Sequence, residues 1–285
     1  MILYKYKSIN EYTKEALQLN QIYYPNPNSL NDPFDCKSEI YSNSFGMNAE
    51  DLINAQLVTS FIHYHTHFKS SYLSEPKKKH LFNEIKKAKN SRAAVDVIQR
   101  FYKSIGINYT LLTLKERYKE MSKQINSFGI LSLTEDPVNM LMWSHYGDQH
   151  KGIVLGIEID EEESCKQVEY KNEFPKIDMS LSNAHFSMNF QSPENISREY
   201  TIELTDQIIN DIFYHKAECW NYEKEWRIIN QKFGLANYPG KLVEVIFGCR
   251  CSDSDKIAVK RCITDTNVKY KEIITSNNSF TLFIK

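Results

Sequence analysis

Carboxylates, a guanidinium and aromatic rings alternate in one short segment of the chain, Trp220 to Arg227. Side chains two residues apart share a face of a β-strand, so a strand here would bring Glu223, Glu225 and Arg227 together. Arg227 would neutralise one carboxylate and leave the other ionised, able to oppose a developing positive charge. The alternative for this E-x-E-x-R pattern is a surface ion pair on an edge strand, with Trp226 in the core.

A second group of candidate residues is Trp143-Ser144-His145-Tyr146, in the middle of the chain. His145 and Tyr146 fall near the end of a predicted short helix, where a ligand could reach them. The alternative is that His145 satisfies a local hydrogen bond and Trp143 packs inward. This segment is therefore a candidate binding site with a structural alternative.

A third group lies near the N-terminus, where Tyr4-Lys5-Tyr6 is followed by Asn31-Asp32-Pro33-Phe34-Asp35. The second of these segments is dense in residues that hydrogen-bond their own backbone and cannot extend a helix. It predicts an ordered loop.

The composition is that of a compact globular protein and excludes several classes. Of the 285 residues, 41% are hydrophobic and 25% charged, unlike a disordered or collagen-like chain. The 35 Lys and Arg residues balance 36 Asp and Glu residues, so the overall basic charge of a dedicated nucleic-acid or membrane-surface binder is absent. No apolar run approaches the roughly 20 residues of a membrane span. P-loop, Rossmann and lipase-like motifs are also missing.

Cysteine and histidine usage predicts a reduced protein without a metal. The six cysteines include no C-x-x-C pair, and the N-terminus has no apolar signal segment, which predicts a cytoplasmic location. His63, His65 and His67 lie in a predicted helix that lacks an H-E-x-x-H motif and a third ligand. We therefore expect no metal site and no membrane association.

The apolar pattern predicts an α+β fold, a single domain over residues 1–285 with one mixed or split β-sheet and a large helical insertion at about 48–126. A helix over about 9–19, with a capping box of Ser8 and Glu11, is expected between strands over 2–6 and 21–24. Further strands are expected over 128–134, 152–159, 165–170, 225–230, 242–248 and 268–274. Residues 171–194 are expected to form a long loop or lid, and 195–220 mostly helix.

Taken together, the motifs resemble a widespread, mostly bacterial family whose shared domain has no known function. They are L-Y-K-Y at Leu3–Tyr6, S-x-N-D-P-F-D at Ser29–Asp35, S-L-T-E-D-P, M-W-S-H-Y and H-K-G-I within Ser132–Ile153, and W-x-Y-E-x-E-W-R at Trp220–Arg227. The predicted helical insert contributes none of them. Because genes of this family are often found near mobile or defence-related genes, the resemblance implies a bacterial toxin or phage-defence effector.

The motif order is also similar to that of the ADP-ribosyltransferase superfamily, whose split β-fold holds NAD with three strand-borne motifs. This resemblance implies an NAD-dependent transferase or NAD glycohydrolase that modifies a macromolecular acceptor, a protein or a nucleic acid. Cleaving the nicotinamide glycosidic bond builds positive charge on the ribose, which a carboxylate bonded to the ribose 2′-hydroxyl opposes. Glu225 is expected in that role, with Glu223 orienting the acceptor or a water molecule. The residues expected to bind NAD are Lys5, Tyr6, Ser132, Trp143, His145, Tyr146 and Arg227. The sequence departs from the superfamily at Lys5, where Arg or His is usual.

Two other classes of function fit the same residues. A non-enzymatic module would use the polar motifs to hold a ligand or a partner. A metal-dependent nuclease would use Asp32, Asp35, Glu223 and Glu225 around a divalent ion, although few basic residues accompany these motifs.

Overall fold

The fold is that of a computed structural model, which describes residues 1–41, 49–67, 73–106, 114–159, 165–178, 184–192, 195–202 and 204–285. Its helices are α1 (Glu11–Gln18), α2 (Ala49–His67), α3 (Glu75–Lys87), α4 (Ser91–Ser104), α5 (Leu114–Ile125), α6 (Met140–His145), α7 (Asp206–Phe213) and α8 (Asp253–Cys262). Its strands are β1 (Ile2–Lys7), β2 (Gln21–Tyr24), β3 (Glu39–Tyr41), β4 (Gly129–Thr134), β5 (Ile153–Ile159), β6 (Cys165–Gln167), β7 (Glu169–Lys171), β8 (Lys176–Asp178), β9 (Ala184–Ser192), β10 (Asn195–Ile202), β11 (His215–Ala217), β12 (Glu225–Asn230), β13 (Gly234–Asn237), β14 (Gly240–Phe247), β15 (Lys269–Thr275) and β16 (Leu282–Ile284).

The chain divides into two compact units. The first comprises Met1–Lys37, Gln124–Pro175 and Asn210–Lys285, and the second Ser38–Lys123 and Lys176–Ile209. The large mixed sheet confirms the predicted α+β class. The prediction of one domain over the whole chain stays a prediction.

One eight-stranded sheet organises the first unit, in the order β16-β15-β14-β5-β1-β4-β12-β6. Its neighbours are antiparallel, except for β14 and β15, which are parallel and are connected through α8. One face packs Leu3, Leu133 and Leu155 against Leu17 of α1 and Val259 of α8. The other face carries a second core around Tyr6 and Trp143. Both faces of the central strands are therefore covered, which explains their continuous apolar runs.

The sheet opens between β1 and β4. These two strands are paired only at Tyr4 and Thr134, whereas β1 is paired with β5 along its whole length. Beyond that single pair, Lys5 Nζ donates a hydrogen bond to the Ser132 carbonyl across the gap, at 2.7 Å. The opening places polar side chains of β1 and β4 at the edge of a cavity.

Three α-helices pack together in the second unit. α2, α3 and α4 share a core that includes Phe61, Leu81, Ile85 and Ile98, which fits the predicted helical segment. His65 is buried beside Phe61, and burial, with a smaller effect of Lys78, lowers its pKa to about 4. His63 is exposed, and the side chain of His67 lies outside the described part. His65 is thus a neutral core residue.

Three expectations about local structure are wrong. The N-cap of α1 is Asn10, whose side chain accepts from the Thr13 amide, and not Ser8. Within the supposed lid over 171–194, β8 and β9 are strands, and the supposed helix over 195–220 begins with the strand β10, which forms a hairpin with β9. Among the described residues of that stretch, only α7 is an α-helix. A segment forms a strand when another strand pairs with it. The apolar periodicity of that segment alone does not show whether such a partner exists.

Candidate functional site

A cavity of about 250 Å³ borders the opening between β1 and β4 in the first unit. Its walls come from β1, β4, β12, the loop after β2, the end of α6 and β11. The side chains with chemical potential that line it are Lys5, Tyr6, Asn31, Asp35, Ser132, Tyr146, Lys216, Glu223 and Glu225. At least one of them comes from each of the four segments that carry the sequence motifs, Leu3–Tyr6, Ser29–Asp35, Ser132–Ile153 and Trp220–Arg227.

Arg227 anchors the base of this site. It is fully buried, because β12 runs between β4 and β6 and directs alternate side chains inward. Its guanidinium donates to both oxygens of Asp35, at 2.9 and 2.6 Å, and to both oxygens of Glu225, at 2.7 and 3.1 Å. A fifth bond goes to the Phe213 carbonyl at 2.8 Å. This two-sided pairing joins β12 to the loop that ends at Asp35.

Lys216 is the second buried cation of the cluster. Its ammonium lies 2.5 Å from Glu223 Oε2 and 2.9 Å from Glu225 Oε2. Burial alone would lower the pKa of Lys216, but the charges of Glu225 and Glu223 outweigh it and raise the pKa. Burial alone would raise the pKa of Glu225, but Arg227 and Lys216 hold it far below the usual value. Glu225 is therefore ionised at neutral pH.

Glu223 lines the cavity, but not from the strand position that the sequence predicts. Strand periodicity predicts that Glu223 shares a strand face with Glu225 and Arg227. This prediction is wrong, because β12 begins at Glu225 and Glu223 ends a 3-10 helix. Lys224 between them adopts a left-handed conformation, φ 44°, which redirects the chain. Glu225 and Arg227 do share a face, as predicted, and Trp226 packs against the core.

The end of α6 and the loop after β2 hold Glu223 in place. Tyr146 donates its hydroxyl hydrogen to Glu223 Oε1 at 2.6 Å and accepts a hydrogen bond from Asn31 at 2.8 Å. Burial, together with this bond to Glu223, raises the pKa of Tyr146, so its hydroxyl stays a donor. The Glu223 backbone carbonyl accepts from the Thr134 hydroxyl at 2.6 Å. The side chain and backbone of Glu223 are thus both positioned by other motifs.

The two glutamates differ in the hydrogen bonds that they could still accept. A carboxylate has about four acceptor positions. Glu225 uses three, two with Arg227 and one with Lys216. Glu223 uses one position on each oxygen, for Tyr146 and for Lys216. Glu223 is consequently the carboxylate with more capacity left for a ligand.

Lys5 supplies a cation of a different character. It is partly exposed and its ammonium bonds to the neutral Ser132 carbonyl. Burial of the ammonium, and the nearby charge of Lys7, lower the pKa of Lys5 to about 7. A share of Lys5 is therefore an unprotonated amine at neutral pH.

The structure brings together most of the predicted site residues. Glu223, Glu225, Lys5, Tyr6, Ser132 and Tyr146 line the cavity, and Arg227 lies directly behind Glu225. Tyr6 also donates to the Asp136 carbonyl at 2.8 Å. Trp143 and His145 do not line the cavity. Trp143 is fully buried and donates to the Pro137 carbonyl at 2.9 Å, and His145 is exposed at the end of α6.

Three important residues were missed or given another role. Lys216 lies in a short H-K-A strand that carries no recognisable motif. The sequence indicates a role for Asp35 only as a nuclease ligand, although Asp35 is the buried partner of Arg227. Asn31 was expected only to shape a loop. A signal for Asp35 and Asn31 did exist, because both lie in the N-D-P-F-D motif, whereas Lys216 has none.

Within the described ranges, no group of three or more His, Cys, Asp or Glu side chains is arranged to hold a metal ion. The carboxylates of the cavity are instead bridged by Lys216 and Arg227, which engage the oxygens that a divalent ion would need. The nuclease hypothesis stays a prediction that this arrangement does not favour.

Comparisons with known proteins identify the domain and no more. Residues 142–228 match the profile of a protein family of unknown function, DUF2971. The chain therefore carries a DUF2971 domain, which spans α6 to the middle of β12 and includes Tyr146, Lys216, Glu223, Glu225 and Arg227. No curated protein and no solved structure gives a significant match. No helix of the described part is long and apolar enough to cross a bilayer.

Proposed function

We propose that the protein is an NAD-dependent enzyme of the ADP-ribosyltransferase or NAD glycohydrolase type, with its active site in the cavity beside Glu223. The observation that carries the proposal is Glu223, a buried carboxylate that is oriented by Tyr146 and Lys216 and still has free acceptor positions towards the cavity. Preorganised charge of this kind stabilises a transition state because it needs no rearrangement during the reaction.

In this reaction the bond between ribose C1′ and the nicotinamide nitrogen breaks, and both electrons leave with nicotinamide. Glu223 would accept a hydrogen bond from the ribose 2′-hydroxyl and oppose the positive charge that grows on the ring. An oxygen of water or of the acceptor would form the new bond to C1′. The unprotonated share of Lys5 would take the proton of that oxygen. In this scheme Glu223, and not Glu225 as the sequence predicts, opposes the positive charge on the ribose. Glu225 holds Lys216 and Arg227 in position.

The size of the cavity limits how much of NAD it would hold. At about 250 Å³ it is slightly below the ~300–1,000 Å³ of sites that enclose a drug-sized ligand. The nicotinamide and its ribose would therefore enter, with Tyr4, Tyr6 and Tyr146 supplying aromatic surface, and the remainder of NAD would extend from the mouth.

The biological setting is part of the same proposal. A toxin or phage-defence effector would act on a protein or nucleic acid acceptor in the cytoplasm. In support of a reducing compartment, all six cysteines are free thiols, three of them buried.

Nicotinamide release from 1 mM NAD by the purified full-length chain tests the proposal. Glu223→Gln removes the charge and keeps the shape, and we expect a fall in release of roughly 10²- to 10³-fold, the usual cost of losing one preorganised group at a developing charge. Glu218→Gln is the matched control, because Glu218 lies in the same 3-10 helix but is exposed. Equal release by both variants would remove Glu223 from the reaction.

A binding function without turnover is the second candidate. The observation that favours it is the complete pairing of Glu225, Arg227 and Asp35, which describes a rigid framework rather than a reactive group. Saturable binding of NAD in calorimetry, with no nicotinamide release by the wild-type protein, would favour this function over the enzyme.

A further inference from the structure

A second cavity of the first unit is larger than the one beside Glu223. It has a volume of about 460 Å³, within the ~300–1,000 Å³ range of small-molecule sites. Its walls are the end of β1, α1, β2, Leu155 of β5 and the segment around β13. The body of the cavity is apolar, with Leu17, Ile22 and Leu155 on the side of the sheet core.

Lys7 brings an unbalanced positive charge to this cavity. It is partly buried, and burial lowers its pKa. Its ammonium has no hydrogen-bond or ion-pair partner within the described ranges, although the exposed Glu15 lines the same cavity. A cation removed from water without a counter-ion is poorly stabilised, so an anion would be attracted here.

Tyr238 adds a second unsatisfied group to the same wall. Its hydroxyl is buried and has no hydrogen-bond partner, and burial raises its pKa. Buried hydroxyls nearly always have a partner, so this neutral donor is available to a polar atom of a ligand.

The rim of the cavity exposes large apolar side chains. Tyr12, Tyr23 and Leu235 have exposed fractions of 82%, 42% and 45%. Single exposed apolar residues are ordinary, but three around one cavity extend its apolar surface outward.

We propose that this cavity is a binding site for a small aromatic or branched aliphatic carboxylate. The anionic group lies at Lys7, the apolar body lies against Leu17, Ile22 and Leu155, and Tyr238 donates to a polar atom of the ligand. This site is independent of the NAD chemistry, because it shares no lining residue with the cavity beside Glu223.

Calorimetric titration of the full-length protein with 2-naphthoate and 2-naphthamide tests the proposal, since the two probes have the same shape and differ in charge. We expect naphthoate to bind at least tenfold more tightly than naphthamide. Lys7→Met should abolish this preference, whereas Lys14→Met, which removes a lysine of α1 that does not line the cavity, should keep it. No binding of naphthoate at 5 mM, or equal binding of the two probes, would overturn the proposal.

Two further variants locate the binding. Tyr238→Phe should weaken naphthoate binding several-fold, and Ala16→Phe, which adds a ring to the wall without touching the charge of Lys7, should block it. If Lys7→Met fails to fold, the test of the site rests on Ala16→Phe. Unchanged naphthoate binding by Ala16→Phe would place the ligand elsewhere and refute the proposed site. Glu223→Gln should not change naphthoate binding, which separates failure of this site from failure of the proposed enzyme.

Discussion

Replacing Arg227 by Met should strongly destabilise the first unit. Met keeps most of the side-chain volume, but the five hydrogen bonds of the guanidinium to oxygen atoms are lost, together with a weaker one to Cys36 Sγ. Asp35, Glu223 and Glu225 would then share Lys216 as the remaining cation of the buried cluster. Removing one partner of a buried ion pair costs about 3–5 kcal/mol, because a charge is left uncompensated.

The assay is urea unfolding followed by tryptophan fluorescence. The three tryptophans, Trp143, Trp220 and Trp226, all belong to the first unit, so the signal reports on the unit that contains Arg227. Urea unfolding should show the loss of about 3–5 kcal/mol directly, and a thermal melt followed by the same fluorescence should show a fall in Tm of roughly 6–20 °C. Arg250→Met is the matched control, because Arg250 is exposed and its loss should cost less than about 0.5 kcal/mol.

The pH dependence of this loss in unfolding free energy provides a second, independent test of the prediction. In the wild-type protein the pKa of Glu225 lies below its unfolded value of about 4.3, so its stabilisation is complete above that value and is lost as pH falls below it. Without Arg227, burial would raise the pKa of Glu225, and the variant would take up the proton at higher pH. The difference in unfolding free energy should therefore shrink from pH 7 to pH 4.5. A difference below about 1 kcal/mol at pH 7 would refute the reasoning.

Three other results are expected. The pKa of Lys5 is lowered to about 7, so between about pH 7 and pH 10.4 the native protein binds fewer protons than the unfolded chain, and the contribution of Lys5 to stability rises with pH. In urea unfolding, the unfolding free energy of the wild type relative to Lys5→Met should therefore increase over this pH range. A difference that does not change with pH would show that Lys5 is not buried. Tyr146→Phe should lower the unfolding free energy by about 1–2 kcal/mol, since Glu223 and Asn31 both lose a partner, and a cost equal to that of the exposed Tyr12→Phe would contradict this. Gly248→Ala should cost at least about 2 kcal/mol in the same assay, because its Cβ would lie 2.1 Å from the His150 carbonyl oxygen; wild-type stability would show that the backbone yields there.

The central sheet could be predicted because its strands carry strong local signals. The bounds expected for β12 agree with the structure, and those of β1, β4 and β5 agree within a residue. The apolar runs of β4 and β5 are buried on both faces. The expected bounds of β2 are also correct, although β2 pairs with β13 outside this sheet. The shared face of Glu225 and Arg227 also follows from strand periodicity alone.

The charged cluster could be predicted only in part, because it is built by contacts between distant segments. Asp35 and Arg227 are 192 residues apart, and a motif indicates that each has a role but not that they pair. Glu223 departs from the expected face because it ends a 3-10 helix and Lys224 is left-handed, so that the strand begins only at Glu225. Lys216 is defined by the carboxylates around it, and its own segment gives no signal.

Trp143 and His145 lie away from the cavity for a related reason. A W-S-H-Y sequence does not show which of its side chains faces a cavity. The short helix α6 turns Trp143 into the core, His145 outward, and only Tyr146 towards Glu223.

The most direct test of the account compares Glu223→Gln with Glu225→Gln in one preparation, measuring unfolding free energy and nicotinamide release from NAD. The account assigns ligand contact to Glu223 and support of the cluster to Glu225. Glu223→Gln should therefore lose release at least 100-fold while the unfolding free energy falls by less than about 2 kcal/mol. Glu225→Gln should lose about 3–5 kcal/mol, because three hydrogen bonds from buried cations depend on that carboxylate. Wild-type release in Glu223→Gln, or no release by the wild-type protein at all, would contradict the account.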